Sequence, residues 1–171
     1  RNWSTGVDGT TPNYLSIRDW QVASGRRFSD EEVRNAAPVC LLGQTVVNNL
    51  FAPGVNPVGT VIRVKNFPLR VIGVLAVKGQ SSFGQDQDDT ILAPYTTVQK
   101  KLAGIDFLNF IQVSAVSEQA TAAAQRQIEG VLRERHKIRP GQDDDFEVRN
   151  LSDVADLANR AGDVMTLLLA S

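Results

Sequence analysis

Apolar residues along this chain gather in short runs rather than long stripes, and the runs predict strands with brief helices between them. Val39-Cys40-Leu41-Leu42 is continuous, too short for a helix and bounded by Pro38 and Gly43, so it predicts a buried strand. Residues 44–51 return to helical spacing, with Val46, Val47, Leu50 and Phe51 apolar, before Pro53-Gly54 and Pro57-Val58-Gly59 break the chain. Residues 60–77 predict a hairpin. Ile62 and Val64 alternate with Arg63 and Lys65, which leaves one wet face, and Asn66-Phe67-Pro68 turns the chain round. Residues 69–77 are apolar at nearly every position except Arg70, so this strand is expected to be covered on both faces. A polar loop over 78–89 leads to a short strand, Thr90-Ile91-Leu92-Ala93, that Pro94 ends.

Upstream, Thr11-Pro12 opens a helical segment over 13–20 whose Tyr14, Ile17 and Trp20 share a face, and Ser24-Gly25 reads as a turn. Ser29-Asp30-Glu31-Glu32 fits a capping box, and the short helix it starts should stop before Pro38. In the last third, residues 110–116 alternate as a strand. Residues 118–137 form a long helix with Ala120, Ala124, Ile128, Val131 and Leu132 on one stripe, and Gly130 within it implies close approach to a sheet. Phe146-Glu147-Val148 alternates again, so strand, helix and strand make a split βαβ-type unit. Ser152 can cap a final helix carrying Leu151, Val154, Leu157, Ala161 and Val164 into the apolar run 164–170. That run reads either as a last core helix or as the first two turns of a membrane helix.

Composition narrows the function more than the fold. With 171 residues, 42% apolar and 22% charged, the chain is long enough for one sizeable domain or two small subdomains. A net charge of −1 and 6% aromatic residues give no basic, stacking surface, so nucleic acid is not expected as a partner. Cys40, the single cysteine, rules out an internal disulfide and reads as a small core residue.

No catalytic residue, cofactor-binding residue or metal ligand emerges. G-x-S-x-G, Walker A, G-x-G-x-x-G and H-E-x-x-H patterns are all absent. His136, the single histidine, sits with Arg133, Arg135 and Lys137 at a helix C-terminus, where positive charge suits the helix dipole. Asp86-Gln87-Asp88-Asp89 begins like a calcium loop, but the required glycine position falls on Ile91 and the closing glutamate position on Thr97. Asp143-Asp144-Asp145 reads as solubilising charge. Asn2-Trp3-Ser4 and Asn150-Leu151-Ser152 match the glycosylation sequon, a pattern too short to carry weight. The loop 79–89 is expected to be the most mobile internal segment, and Phe83 within it, with no evident partner, is the candidate contact residue for a partner protein.

Several motifs then fall in register with one family. Gly9-Thr10-Thr11-Pro12-Asn13-Tyr14-Leu15, Ser24-Gly25-Arg26-Arg27-Phe28, Val39-Cys40-Leu41-Leu42-Gly43 and Asn49-Leu50-Phe51 resemble the periplasmic core domain of MacB-like ABC-transporter permeases. Asn56-Pro57-Val58-Gly59-Thr60-Val61-Ile62, Phe67-Pro68-Leu69-Arg70-Val71-Ile72-Gly73-Val74-Leu75 and Asp89-Thr90-Ile91-Leu92-Ala93-Pro94-Tyr95 continue the resemblance. It implies an α+β fold in which a split βαβ Porter-like subdomain carries an inserted mixed α/β Sabre-like subdomain. The Porter-like part would be residues 1–27 and 106–150, incomplete at the N-terminus because the family's first βαβ half is missing. The Sabre-like part would be 28–105, and 151–171 a stalk helix leading into a transmembrane helix. The resemblance further implies a non-enzymatic periplasmic domain at the bacterial inner membrane that transmits ATP-driven motion to export or extraction. Its partners would be the membrane, a periplasmic adaptor and a second permease subunit, with no cofactor. The alternative is a free-standing extracytoplasmic module that binds a ligand or protein.

Overall fold

The computed structural model describes residues 1–81 and 84–150. The chain divides into two compact units at Val113/Ser114. In the first, β1 (Gly6–Thr10), α1 (Tyr14–Ile17), β2 (Val22–Gly25), α2 (Asp30–Arg34), β3 (Val39–Leu42) and α3 (Gln44–Leu50) precede the hairpin β4 (Val61–Val64) and β5 (Phe67–Leu75). Strand β6 (Thr90–Pro94), the single turn α4 (Tyr95–Thr97) and a π-helix over Val98–Ala103 complete it.

The strands form one mixed six-stranded sheet in the order β1-β6-β3-β5-β2, with β4 also paired to β5. Strands β1 with β6 and β3 with β5 run parallel, and β3 with β6, β2 with β5 and β4 with β5 run antiparallel. Residues 1–27, expected to belong with 106–150, instead supply β1, α1 and β2 to this sheet. The boundary expected at 27/28 is therefore not where the chain divides. Ser24-Gly25, expected as a turn, is the end of β2, with Gly25 in register with Gly73. Gly25 has φ +82°, and a Cβ there would stand 2.2 Å from the Ile72 carbonyl oxygen. Only glycine meets both conditions, which is why a turn-like dipeptide sits inside a strand.

Side-chain alternation builds a core on each face. Val39 and Leu41 join Leu15, Trp20, Phe28 and Val33 on one face, beneath α1 and α2. Cys40 and Leu42 join Val46 and Val47 of α3 on the other. Along β5, Leu69, Val71 and Val74 belong to the second layer while Ile72 and Leu75 belong to the first. That sequence breaks strict alternation. The reason lies in the register, where the step from Cys40 to Leu41 on β3 spans Val71 to Gly73 on β5, leaving Ile72 as an extra residue. The expected coverage of β5 on both faces is found over 71–75, whereas Val77 lies past the strand and is exposed.

The helix starts follow their sequence signals. Ser29 Oγ accepts from the Glu32 amide at 3.2 Å, and Glu32 Oε2 accepts from the Ser29 amide at 2.9 Å. Arg26 locks the same carboxylate through two contacts of 2.8 Å, which holds the Glu32 carboxyl below its ordinary range. In α1 the buried side chain is Leu15, not Ile17, and Trp20 is buried beyond the helix end, its indole N–H donating to the Ala76 carbonyl at 2.7 Å. The β4–β5 turn is tighter than expected. Lys65 and Asn66 both have positive φ, as a two-residue hairpin turn requires, and Phe67 and Pro68 already belong to β5.

The second unit holds a single 3₁₀ turn (Glu118–Ala120) running into α5 (Thr121–Arg135). Ser117 caps the start, and Ala124, Ile128 and Leu132 are half-buried on the expected stripe, while Val131 is exposed. Two expectations fail here. Residues 110–116 and 146–148 are not strands, so the split βαβ unit is not formed among the described residues. An alternating pattern makes a strand only where a ladder partner satisfies its backbone, and none of the described strands pairs with either segment. Gly130 has no atom within 4 Å of a built Cβ, so it marks no close approach. The expected final helix lies outside the described residues.

Cys40 is fully buried, and exclusion from water pushes its thiol up to about 12 from an ordinary 9.0. It should resist thiol reagents under native conditions. The unfolded thiol ionises near its ordinary value, so the Cys40 contribution to stability is complete below pH 9 and is lost as pH rises towards about 12. Over that window the wild type should lose about 1.4 kcal/mol per pH unit more than Cys40→Ala, read from urea unfolding at several pH values. Parallel pH profiles would contradict a thiol held neutral in the sheet.

Candidate functional site

The polar loop after β5 is fastened at its base. Asp88, only 4% exposed, accepts from the Lys78 amide through Oδ1 at 2.8 Å and from the Gly79 amide through Oδ2 at 2.9 Å. Asp86 accepts from the Asp88 amide at 2.8 Å and from the Thr45 hydroxyl at 2.7 Å. Asp89 is bound from the N-terminal segment, by the Trp3 indole N–H at 2.8 Å and by the Thr5 hydroxyl on its carbonyl at 2.8 Å. The acidic run expected as a solvated loop thus contains a buried carboxylate, and all four oxygens of Asp86 and Asp88 accept protein hydrogen bonds.

Above this base the loop narrows. Gln80 and Asp86 form an antiparallel bridge, the Gln87 amide donates to the Gly79 carbonyl at 3.0 Å, and the Ser81 amide donates to the Gln85 carbonyl at 2.8 Å. Phe83, the expected partner contact, lies outside the described residues. Lys78 closes the side of the base: its ammonium donates to the Arg18 carbonyl and stands 5.4 Å from the centre of the Trp20 ring. Burial, and then the nearby Arg18 charge, lower the Lys78 pKa. Arg18 itself donates to the Gln87 side chain at 3.2 Å.

A cavity of about 490 Å³ opens between β2, α3 and the 51–57 loop, with Val47, Phe51, Val55 and Val74 among its walls and no ionisable side chain in its lining. His136 closes the last turn of α5, its Nδ1 2.7 Å from Asp145 and its ring edge-on to Phe146 at 5.7 Å, beside an Arg133–Asp144 pair. That is the surface position expected from sequence. Sequence reasoning missed Asp88. Its one available signal was position, directly before a strand and within a run of acidic residues.

A mixed sheet with helices on both faces and a fastened loop after β5 defines a mixed α/β domain. The fold is that of the periplasmic region of MacB from Actinobacillus actinomycetemcomitans, with TM-score 0.65 at 20% identity over 90% of this chain and 64% of that one. The extracellular domain of the noncanonic ABC-type transporter YknZ from Gram-positive bacteria has the same fold, with TM-score 0.66 at 18% identity over 84% and 69% of the two chains. The family described as MacB-like periplasmic core domain matches residues 1–131. The macrolide export ATP-binding/permease protein MacB of Syntrophobacter fumaroxidans is 35% identical over 99% of this chain and 31% of its own length. That of Rhodospirillum rubrum is 37% identical over 99% of this chain and 25% of its own. The chain belongs to the MacB-like periplasmic core domain family. It spans under a third of the length of these curated relatives.

Asp88→Ala removes the acceptor for two half-buried amides and should cost about 1–3 kcal/mol in urea unfolding. It should also open residues 79–87 to limited proteolysis under native conditions. Unchanged stability with no new cleavage would show that the loop does not depend on Asp88.

Proposed function

We propose that this chain is part of the extracytoplasmic domain of a MacB-like ABC-transporter permease and passes ATP-driven motion to the export or extraction of substrate. The observation that carries the reading is the family match over residues 1–131 together with 35–37% identity along nearly the whole chain to macrolide exporters. Its physical complement is a stiff sheet with no reactive cluster: no group of three potential metal-ligating side chains occurs among the described residues. On this reading ATP hydrolysis belongs to a separate nucleotide-binding domain, and the domain works with a periplasmic adaptor and a second permease subunit. Phe83 is the proposed partner contact, argued from sequence as the one aromatic side chain of a polar, glycine-bearing loop.

No helix among the described residues is long and apolar enough to cross a membrane. The proposed lever is therefore argued from sequence alone, where Leu151, Val154, Leu157, Ala161 and Val164 keep helical spacing up to the apolar run. In the intact permease, Ala158→Pro should break such a helix at a cost of roughly 3 kcal/mol. Transport should then fail while ATP hydrolysis persists or escapes regulation, both measured on one reconstituted preparation. Normal coupled transport would sink the lever. Separately, Phe83→Ala should weaken adaptor binding roughly tenfold without altering the thermal melt, and unchanged binding would remove Phe83 as the contact.

A further inference from the structure

The wet face of the β4–β5 hairpin carries cations that enter no ion pair among the described residues. Register sets Val61 opposite Arg70 and Arg63 opposite Pro68. Ile62, Val64 and Phe67 pack the other way, against the core layer that includes α3. Val61, Arg63, Pro68 and Arg70 therefore share one face. All four are exposed, Val61 at 57%, and the exposed Lys65 extends the row at the turn. As diagonal cross-strand neighbours, Arg63 and Arg70 stand about 7–8 Å apart, close enough to repel. Among the described residues, none of the three cations enters an ion pair.

The surrounding sequence supplies no neutralising group. No Asp or Glu occurs between Glu32 and Asp86, while Arg34, Arg63, Lys65, Arg70 and Lys78 fall in that interval. In a chain whose net charge is −1, this is segregation of charge rather than excess. Arginines around an exposed β-branched side chain and a proline have the composition of a protein contact, with an apolar centre to desolvate and a charged rim.

We propose that this hairpin face docks an acidic protein surface, whose carboxylates pair with Arg63, Lys65 and Arg70 around Val61. The guanidinium forks match carboxylates bidentately. One exposed valine on a short strand offers little apolar area to insert into a bilayer, whereas a protein surface can cover it while its carboxylates pair with the guanidinium forks. The paired stretch is the length of β4, four residues or about 13 Å, so the patch is small and its contact is steered by charge and sensitive to salt. The inference stands on the hairpin's geometry and is independent of the transporter reading.

Poly-L-glutamate is the probe, titrated against the full 171-residue chain, with phosphatidylglycerol vesicles in parallel. The native chain should bind polyglutamate at about 20 mM salt and weaken at least about tenfold by about 200 mM. Arg63→Gln/Lys65→Gln/Arg70→Gln should lose at least about tenfold in affinity with an unchanged melt. Lys100→Gln/Lys101→Gln/Arg126→Gln, which removes the same charge elsewhere, should bind as the native chain does. Val61→Glu, with all three cations retained, should also weaken binding, and it serves if the triple variant does not fold. Equal loss in both triple variants, no binding by the native chain, or binding to the vesicles but not to polyglutamate would overturn the proposal.

Discussion

A strand paired along both edges and buried on both faces tolerates few registers, and the C-terminal half of β5 is in that position. Its backbone is shared among β3 on one side and β4 and β2 in succession on the other. Its side chains feed both core layers. A one-residue slip would exchange the layers, carrying Leu69 and Val71 to the wet face and Arg70 into the core. The extra residue at Ile72 shifts the phase once, so that Gly73 meets β3 and Gly25 without a side chain between them. Both α2 and α3 reach the sheet over neighbours that β5 places.

The loop fastening follows from the same arrangement. Strands β5 and β6 are joined by the loop 76–89, whose ends lie at the same end of the sheet about 10 Å apart, with β3 between them. Gly43, leaving β3, passes so close that a Cβ there would stand 2.1 Å from the Asp88 carbonyl oxygen. Its amide donates to the Thr90 carbonyl at 2.9 Å. With β3, β5 and β6 converging, the amides of Lys78 and Gly79 are turned inward, and a buried carboxylate is an effective acceptor for both. Asp88 is buried because the sheet closes over it, and it is tolerable there because two amides meet it.

Much of the sheet was legible from single runs. Val39–Leu42, the hairpin and Thr90–Pro94 declare themselves through continuous or alternating apolar residues, and the Ser29–Glu32 capping box through four letters. What was not legible depends on pairing across the chain. Ser24-Gly25 has the letters of a turn and becomes a strand because Gly73 lies opposite. Residues 110–116 have the letters of a strand and lack a partner among the described strands, leaving Phe110, Ile111 and Val113 exposed. Asp88 was hidden by its company, since Asp86 and Asp89 beside it are more exposed and local composition cannot say which carboxylate the sheet will cover. Recognition of the family rested on motif order, which survives such errors because it asks only which short segments occur in which sequence.

A sheet resists deformation where several interactions must fail together. Sliding β5 against its neighbours would break several ladder hydrogen bonds together, each worth about 0.5–1.5 kcal/mol net. It would also reverse the burial of side chains worth about 1.5–3 kcal/mol each. Those costs fall at once because the C-terminal half of β5 is held on all sides, so small loads move the sheet as a body. The single turns α1 and α4 and the uncovered outer face of the hairpin have no such cooperative cover. Recognition belongs at these margins, where a side chain can change partner without disturbing the register. The result is a rigid centre with adaptable edges.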